Sequence, residues 1–152
     1  MGKILDFLKK VERPAIYTFF ISILIILLYM LFNIFFWLRI QSFIISHEII
    51  INARYALELS ITKNERIVYN FHYSTKTKSI QFYWVYGEKS KKTYLLPHLI
   101  PSGIKCESPT RTYTFYFENG NIYPEGEIIL STYLSKRAIK FYRNGNIFLS
   151  KF

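Results

Sequence analysis

Pro14-Ala-Ile-Tyr-Thr-Phe-Phe-Ile-Ser-Ile-Leu-Ile-Ile-Leu-Leu-Tyr-Met-Leu-Phe-Asn-Ile-Phe-Phe-Trp-Leu38 contains no charged residue. The 24 residues from Ala15 to Leu38 would make about 36 Å of helix, against a bilayer hydrocarbon core of about 30 Å. Pro14 suits a first helical turn, where its missing N–H costs nothing. Tyr17 and Trp37 fall near the two ends, where aromatic belts form. A buried core helix can be as apolar, but this run is too long for a domain of this size. A cleavable secretory signal has an apolar region of only about 7–15 residues and a small-residue cleavage site. This run is longer and leads into Trp37-Leu38-Arg39-Ile40, so it reads as a retained transmembrane helix.

Orientation follows from the flanking cations. Lys3, Lys9, Lys10 and Arg13 precede the span, and Arg39 is the nearest basic residue beyond it. That excess predicts a single-pass protein with its N-terminus in the cytoplasm and residues 40–152 sent across the membrane. The expected organisation is a cytoplasmic basic leader at 1–14, the transmembrane helix at 15–38, an amphipathic helix extension at 39–63 and a β-rich exported domain at 64–152.

A length of 152 residues supports one small domain plus an anchor, and not two full domains. An apolar share of 51% and an aromatic share of 19% exclude intrinsic disorder. Cys106 is the one cysteine, which excludes an internal disulfide and a Cys-based structural zinc site. Net charge is +10, from 20 Lys and Arg against 10 Asp and Glu, and residues 40–152 keep 15 basic and 8 acidic side chains. Such an excess suits anionic lipid, nucleic acid or an acidic partner, or simply a soluble surface.

Helical patterning continues past Leu38 through Ala56-Leu57-Glu58 to about Thr62, and Asn64 suits the left-handed position that ends a helix. The period then changes. Arg66–Tyr73 places Ile67, Tyr69, Phe71 and Tyr73 on one face, as a half-buried strand requires. Ser79–Tyr86 would pair with it as a hairpin, and Thr93–Leu96 reads as a short strand. The segment from Pro97 to Thr110, with Pro97, Pro101, Pro109 and Gly103, reads as a loop. Further strands are expected at Thr112–Phe117, Glu127–Tyr133, Ala138–Tyr142 and Ile147–Ser150. Asn119-Gly120 and Asn144-Gly145 are hairpin signals, because both residues tolerate positive φ. The expectation is an α+β fold: one long helix packed on five to seven antiparallel strands.

The residue sets that carry catalysis are missing. His47, His72 and His98 lack metal-ligand spacing, and each suits a surface or sheet face. Cys106 falls in the expected loop with no base nearby in sequence. Glu125 and Glu127 flank Gly126, which resembles turn chemistry more than an acid/base pair. Nucleotide-binding and nucleophile-elbow motifs do not occur. No enzyme, cofactor, metal or small-molecule substrate is expected. The one cluster of interest is basic: Lys136, Arg137, Lys140, Arg143 and Lys151, interleaved with Tyr142 and Phe152. It suits phosphate binding with base stacking, but reads first as a solvated strand face with Lys outward and Ile139 and Phe141 turned inward.

Two stretches carry a resemblance. Ile51-Asn-Ala-Arg-Tyr-Ala-Leu-Glu-Leu-Ser-Ile-Thr-Lys-Asn-Glu-Arg-Ile-Val68 is similar to the helix end and first strand of type IV pilin-like proteins. Tyr113–Gly120, Pro124–Leu130 and Ile139–Leu149 are similar to their closing strands, with Gly at the turns. The chain thus resembles the H-type minor pseudopilins of type II secretion and the related minor pilins (the GspH/FimT type). It departs from them at the N-terminus. Lys9-Lys-Val-Glu-Arg-Pro-Ala-Ile-Tyr-Thr-Phe-Phe20 has a basic leader, but neither the Gly of a prepilin peptidase site nor a Glu inside the span. The resemblance implies a structural component of a secretion or pilus apparatus in the bacterial inner membrane, with its β-rich domain at 64–152 in the periplasm, assembling with other pilin-like subunits through the apolar helix. Leu27 and Phe35 would carry helix assembly, and Ala53 and Ala56 would allow close approach between helices. The alternative it implies is a membrane-anchored minor pilin that binds DNA for uptake.

Overall fold

The computed structural model describes the backbone of residues 2–151 and the side chains of residues 17–150. One helix, α1, runs from Gly2 to Thr62. The chain divides into two compact units, Met1–Trp37 and Leu38–Phe152. The β-branched run Ile49-Ile50-Ile51 does not interrupt the helix, because Ile49 and Ile50 are buried in the second unit and packing overrides their lower propensity. The helix stops where a left-handed residue was expected: Asn64 has φ 47°, and Lys63 N–H donates to the Leu59 carbonyl at 2.9 Å.

Nine strands follow: β1 Ile67–Ser74, β2 Ser79–Gly87, β3 Thr93–Leu99, β4 Lys105–Glu107, β5 Thr114–Glu118, β6 Asn121–Tyr123, β7 Gly126–Ser131, β8 Lys136–Phe141 and β9 Ile147–Lys151. They form a five-stranded sheet, β3-β2-β1-β5-β6, and a four-stranded sheet, β4-β7-β8-β9, antiparallel throughout. The expectation of five to seven strands is corrected upward. β4 lies inside the expected loop of Pro97–Thr110, and β6 is the return arm of the Asn119-Gly120 hairpin. β3 runs through Pro97, which an edge strand tolerates because one side of its ladder is unpaired.

The core lies between the Leu38–Thr62 part of α1 and the inner faces of the two sheets. Along the helix, Ser42, Ser46, Ile49, Ala53, Ala56 and Ser60 are fully buried, a stripe at helical spacing built mostly of small side chains. Large rings fill the space the small residues leave: Tyr69, Phe71, Tyr83, Phe115 and Phe117 are buried on alternating strand positions. Tyr69 Oη donates to the Ile49 carbonyl at 3.3 Å, so the ring most deeply packed under the helix keeps its polar atom paired. The two sheets meet where Phe115 stacks on Phe141 with centroids 4.3 Å apart. They are also tied by Ser79 Oγ, which accepts from Cys106 N–H at 3.0 Å and lies 3.0 Å from the Cys106 carbonyl.

Both hairpin signals mark turns, in different ways. Asn119 (φ 48°) and Gly120 (φ 80°) both sit left-handed, the mirror-image turn that suits strand twist. In the second, Gly145 has φ 80°, while Tyr142 N–H donates to the Asn146 carbonyl and Gly145 N–H to the Tyr142 carbonyl, each at 3.0 Å. That is a longer turn closed by a left-handed glycine.

Candidate assembly and binding surfaces

Every side chain from Tyr17 to Ile34 is exposed. Leu27 is among them at 52%, and Phe35 is half-buried. The polar residues here satisfy themselves within the helix: Ser22 Oγ donates to the Thr18 carbonyl at 2.8 Å, and Asn33 Nδ2 to the Tyr29 carbonyl at 2.9 Å. What remains outward is hydrocarbon and aromatic ring, a continuous apolar surface that water disfavours and lipid or other apolar helices accept. A single long apolar N-terminal helix of this kind fits a membrane anchor.

Ala53 and Ala56 lie elsewhere. Both are wholly enclosed by this chain's own core, so their small size already admits the sheet of the same molecule.

The five basic residues do not form one surface. On β8 the side chains alternate, and Arg137 shares the inward phase of Ile139 and Phe141. It is 8% exposed, its guanidinium lies 5.0 Å from the Phe43 ring centroid, and its Nε has no hydrogen-bond partner. Lys136, exposed, and Lys140, half-buried, share the other phase of the strand with the buried Ala138 between them, and Lys140 stands directly across from Glu127. Arg143 belongs to the β8–β9 turn: its guanidinium lies 5.1 Å from the Tyr123 ring centroid. Its N–H donates to Glu125 Oε1 at 2.8 Å, so Glu125 holds a turn, as its position beside Gly126 suggested. The side chain of Lys151 lies outside the described residues.

Cys106 requires a correction, because it sits on strand β4 and not in a loop. Its thiol is buried, and desolvation, with a smaller contribution from Glu107, pushes its pKa well up, so it stays protonated and a poor nucleophile. The histidines are dispersed. His47 Nδ1 is 3.0 Å from the Phe43 carbonyl, His72 stacks on Phe82 at 4.5 Å, and His98 Nε2 lies 3.2 Å from Glu48. Among the described residues no three His, Cys, Asp or Glu side chains come together as metal ligands.

One charged cluster went unanticipated. Glu65 takes the Ser90 N–H and, at 3.4 Å, the Tyr94 hydroxyl. Those bonds hold its carboxyl below the ordinary carboxylate range, the Ser90 backbone contributing most. Next to it Arg66 bridges Glu118 at 2.9 Å and Glu88 at 3.3 Å. The pair fastens the end of α1 to the β2–β3 turn and to β5. Only the adjacency Glu65-Arg66 is visible in sequence; its partners are 22 to 52 residues away.

This architecture has counterparts among solved structures. Two crystal structures of the type IV minor pilin FimU of Pseudomonas aeruginosa, strain PAO1, are similar to the chain. One has a TM-score of 0.53 at 14% identity, covering 68% of this chain and 88% of that one. The other has a TM-score of 0.55 at 14% identity, covering 74% and 87%. No protein-family model and no curated protein matches the sequence. The likeness is one of fold: a long N-terminal helix over antiparallel sheets, the pilin-like α+β arrangement.

Proposed function

We propose that the chain is a non-enzymatic structural component, a minor pseudopilin or minor pilin, of a type II secretion or type IV pilus apparatus. One observation carries the reading: on a pilin-like fold, the apolar helix exposes every side chain from Tyr17 to Ile34. In the resting state the bilayer covers it, with the leader in the cytoplasm and the domain from residue 64 onward in the periplasm. During assembly the same surface packs against the helices of other pilin-like subunits, Leu27 and Phe35 contributing to the contact. Placing a carboxylate there is costly in both environments. Leu27→Asp or Phe35→Asp therefore abolishes co-purification of pilin-like partners from detergent-solubilised membranes, while the head keeps its unfolding transition. Undiminished co-purification of both variants would refute the reading.

A second reading, capture of DNA for uptake, draws support from Lys136 and Lys140 lying in the same phase of β8, both at least partly exposed. It requires retention of duplex DNA that falls steeply with salt and weakens on any sequence in Lys140→Ala, Arg143→Ala and Lys151→Ala. Salt-independent retention disposes of it.

A further inference from the structure

The end of the second unit next to Leu38 differs in charge from its opposite end. Gly103 packs against the Leu38 side chain, so closely that a Cβ there would fall 2.8 Å from Leu38 Cδ2. Leu38 is peptide-bonded to Trp37, the last residue of the exposed apolar helix. The Gly103 loop therefore marks the edge of the head where the chain leaves the apolar stretch. Three segments meet there around a cleft of about 780 Å³, lined by Thr77 and Ser79, by residues 99–105, and by Ser131, Thr132 and Tyr133.

Segments 74–79 and 131–136 hold Lys76, Lys78 and Lys136 and no acidic residue; nearby, Lys105 is paired with Glu107 at 2.7 Å and Arg137 is buried. At the other end, where Gly120 and Gly145 lie over Ile61 and Leu57, acidic and basic residues mix. Glu65, Glu88, Glu118 and Glu125 all belong to that end. The edge beside Leu38 also carries exposed apolar side chains: Leu99 is 71%, Tyr133 85% and Leu134 62% exposed. Cations beside exposed Leu and Tyr match the chemistry of a bilayer interface.

We propose that this edge docks on the surface of an anionic phospholipid bilayer, Lys76 and Lys78 meeting headgroup phosphates and Leu99, Tyr133 and Leu134 entering the interfacial layer. The proposal rests on residues 15–38 spanning that same bilayer. A duplex nucleic acid would take the cations but has no use for the three apolar side chains, which favours lipid.

The test uses the full chain reconstituted into vesicles of phosphatidylcholine, or of phosphatidylcholine mixed with phosphatidylglycerol. A fluorophore is placed on Leu134→Cys, and on Lys89→Cys at the far end as a control; buried Cys106 stays unlabelled. Headgroup-spin-labelled lipid then quenches the Leu134→Cys label several-fold more in the anionic vesicles. Raised salt, Lys76→Glu with Lys78→Glu, or Tyr133→Ser reduces that excess, and the Lys89→Cys label does not respond. Quenching at Leu134→Cys that is indifferent to phosphatidylglycerol, in a chain that resists alkaline extraction, overturns the docking and leaves the span intact. Protection of that label by duplex DNA in neutral vesicles, with no lipid response, overturns it in favour of nucleic acid. A chain removed by alkaline extraction overturns the span, and the docking with it.

Discussion

The guanidinium of Arg137 rests on the ring of Phe43, 5.0 Å from its centroid, and this contact joins the second sheet to the helix. The arginine serves packing more than charge. Its Nε is buried without a partner, and such a group opposes folding by about 1–3 kcal/mol. Arg137→Met keeps the stem and most of the volume and removes the unpaired donor. Its urea unfolding, followed on the detergent-solubilised chain, should therefore stay within about 1 kcal/mol of the parent or exceed it. Arg137→Ala, which leaves a void under Phe43, should lose about 2 kcal/mol or more. A large loss in the methionine variant would show that the charge itself is needed.

Ala53 provides a steric test. It is fully buried beneath the sheet, while Ile51, two residues away, is 64% exposed. Ala53→Leu should destabilise by about 1–3 kcal/mol through overpacking, and Ile51→Leu should be close to neutral in the same denaturation experiment. Equal tolerance would mean that the helix stripe is not packed to the density described.

The two turn glycines separate strain from collision. Gly120 and Gly145 share φ 80°. A Cβ at Gly120 would meet only Ile61 Cδ1 at 3.7 Å, whereas at Gly145 it would run into the Gly120 carbonyl oxygen. Gly120→Ala should cost about 1 kcal/mol for the left-handed backbone, and Gly145→Ala clearly more, because backbone cannot step aside. Thermal midpoints of the two variants compare them directly; the reverse order would contradict the geometry.

Acid should loosen the end of the helix. Glu65 is held below its ordinary value of 4.5 by the Ser90 amide. Its contribution is thus complete above about pH 4.5 and is lost as pH falls through the lower folded-state value. Glu65→Gln, which cannot take on that charge, should show a shallower loss of stability between pH 5 and pH 3. Parallel pH profiles for parent and variant would remove Glu65 from the account.

Much of this was legible in the sequence, where local chemistry decides the outcome. The uncharged run, the left-handed Asn64, and the Asn119-Gly120 and Asn144-Gly145 turns are each set by one or a few neighbouring residues. The sequence reading groups Arg137 with the basic cluster, although it lies two residues before Ile139, in the phase already assigned to the core, where the fold buries it. What escaped depends on distant pairing. Lys105–Glu107 becomes a strand because Ile129–Ser131 lies beside it, and three residues among prolines carry no period of their own. Pro97 reads as a strand breaker unless its strand is known to be an edge. Ala53 and Ala56 have the same size whether they face a neighbouring helix or their own sheet, so the sequence reading assigns them to helix assembly where the fold buries them in their own core. The Arg66 bridges to Glu88 and Glu118 required β2 and β5 to be brought together first.

Segregated charge has one more effect. Lys76 and Lys78 sit on one short turn beside Leu38, whereas at the far turns acids and bases alternate, so charge is spread unevenly along the head. A negative surface then exerts a torque on it, standing it upright before any side chain makes contact and limiting the orientations in which an incoming subunit would first meet it.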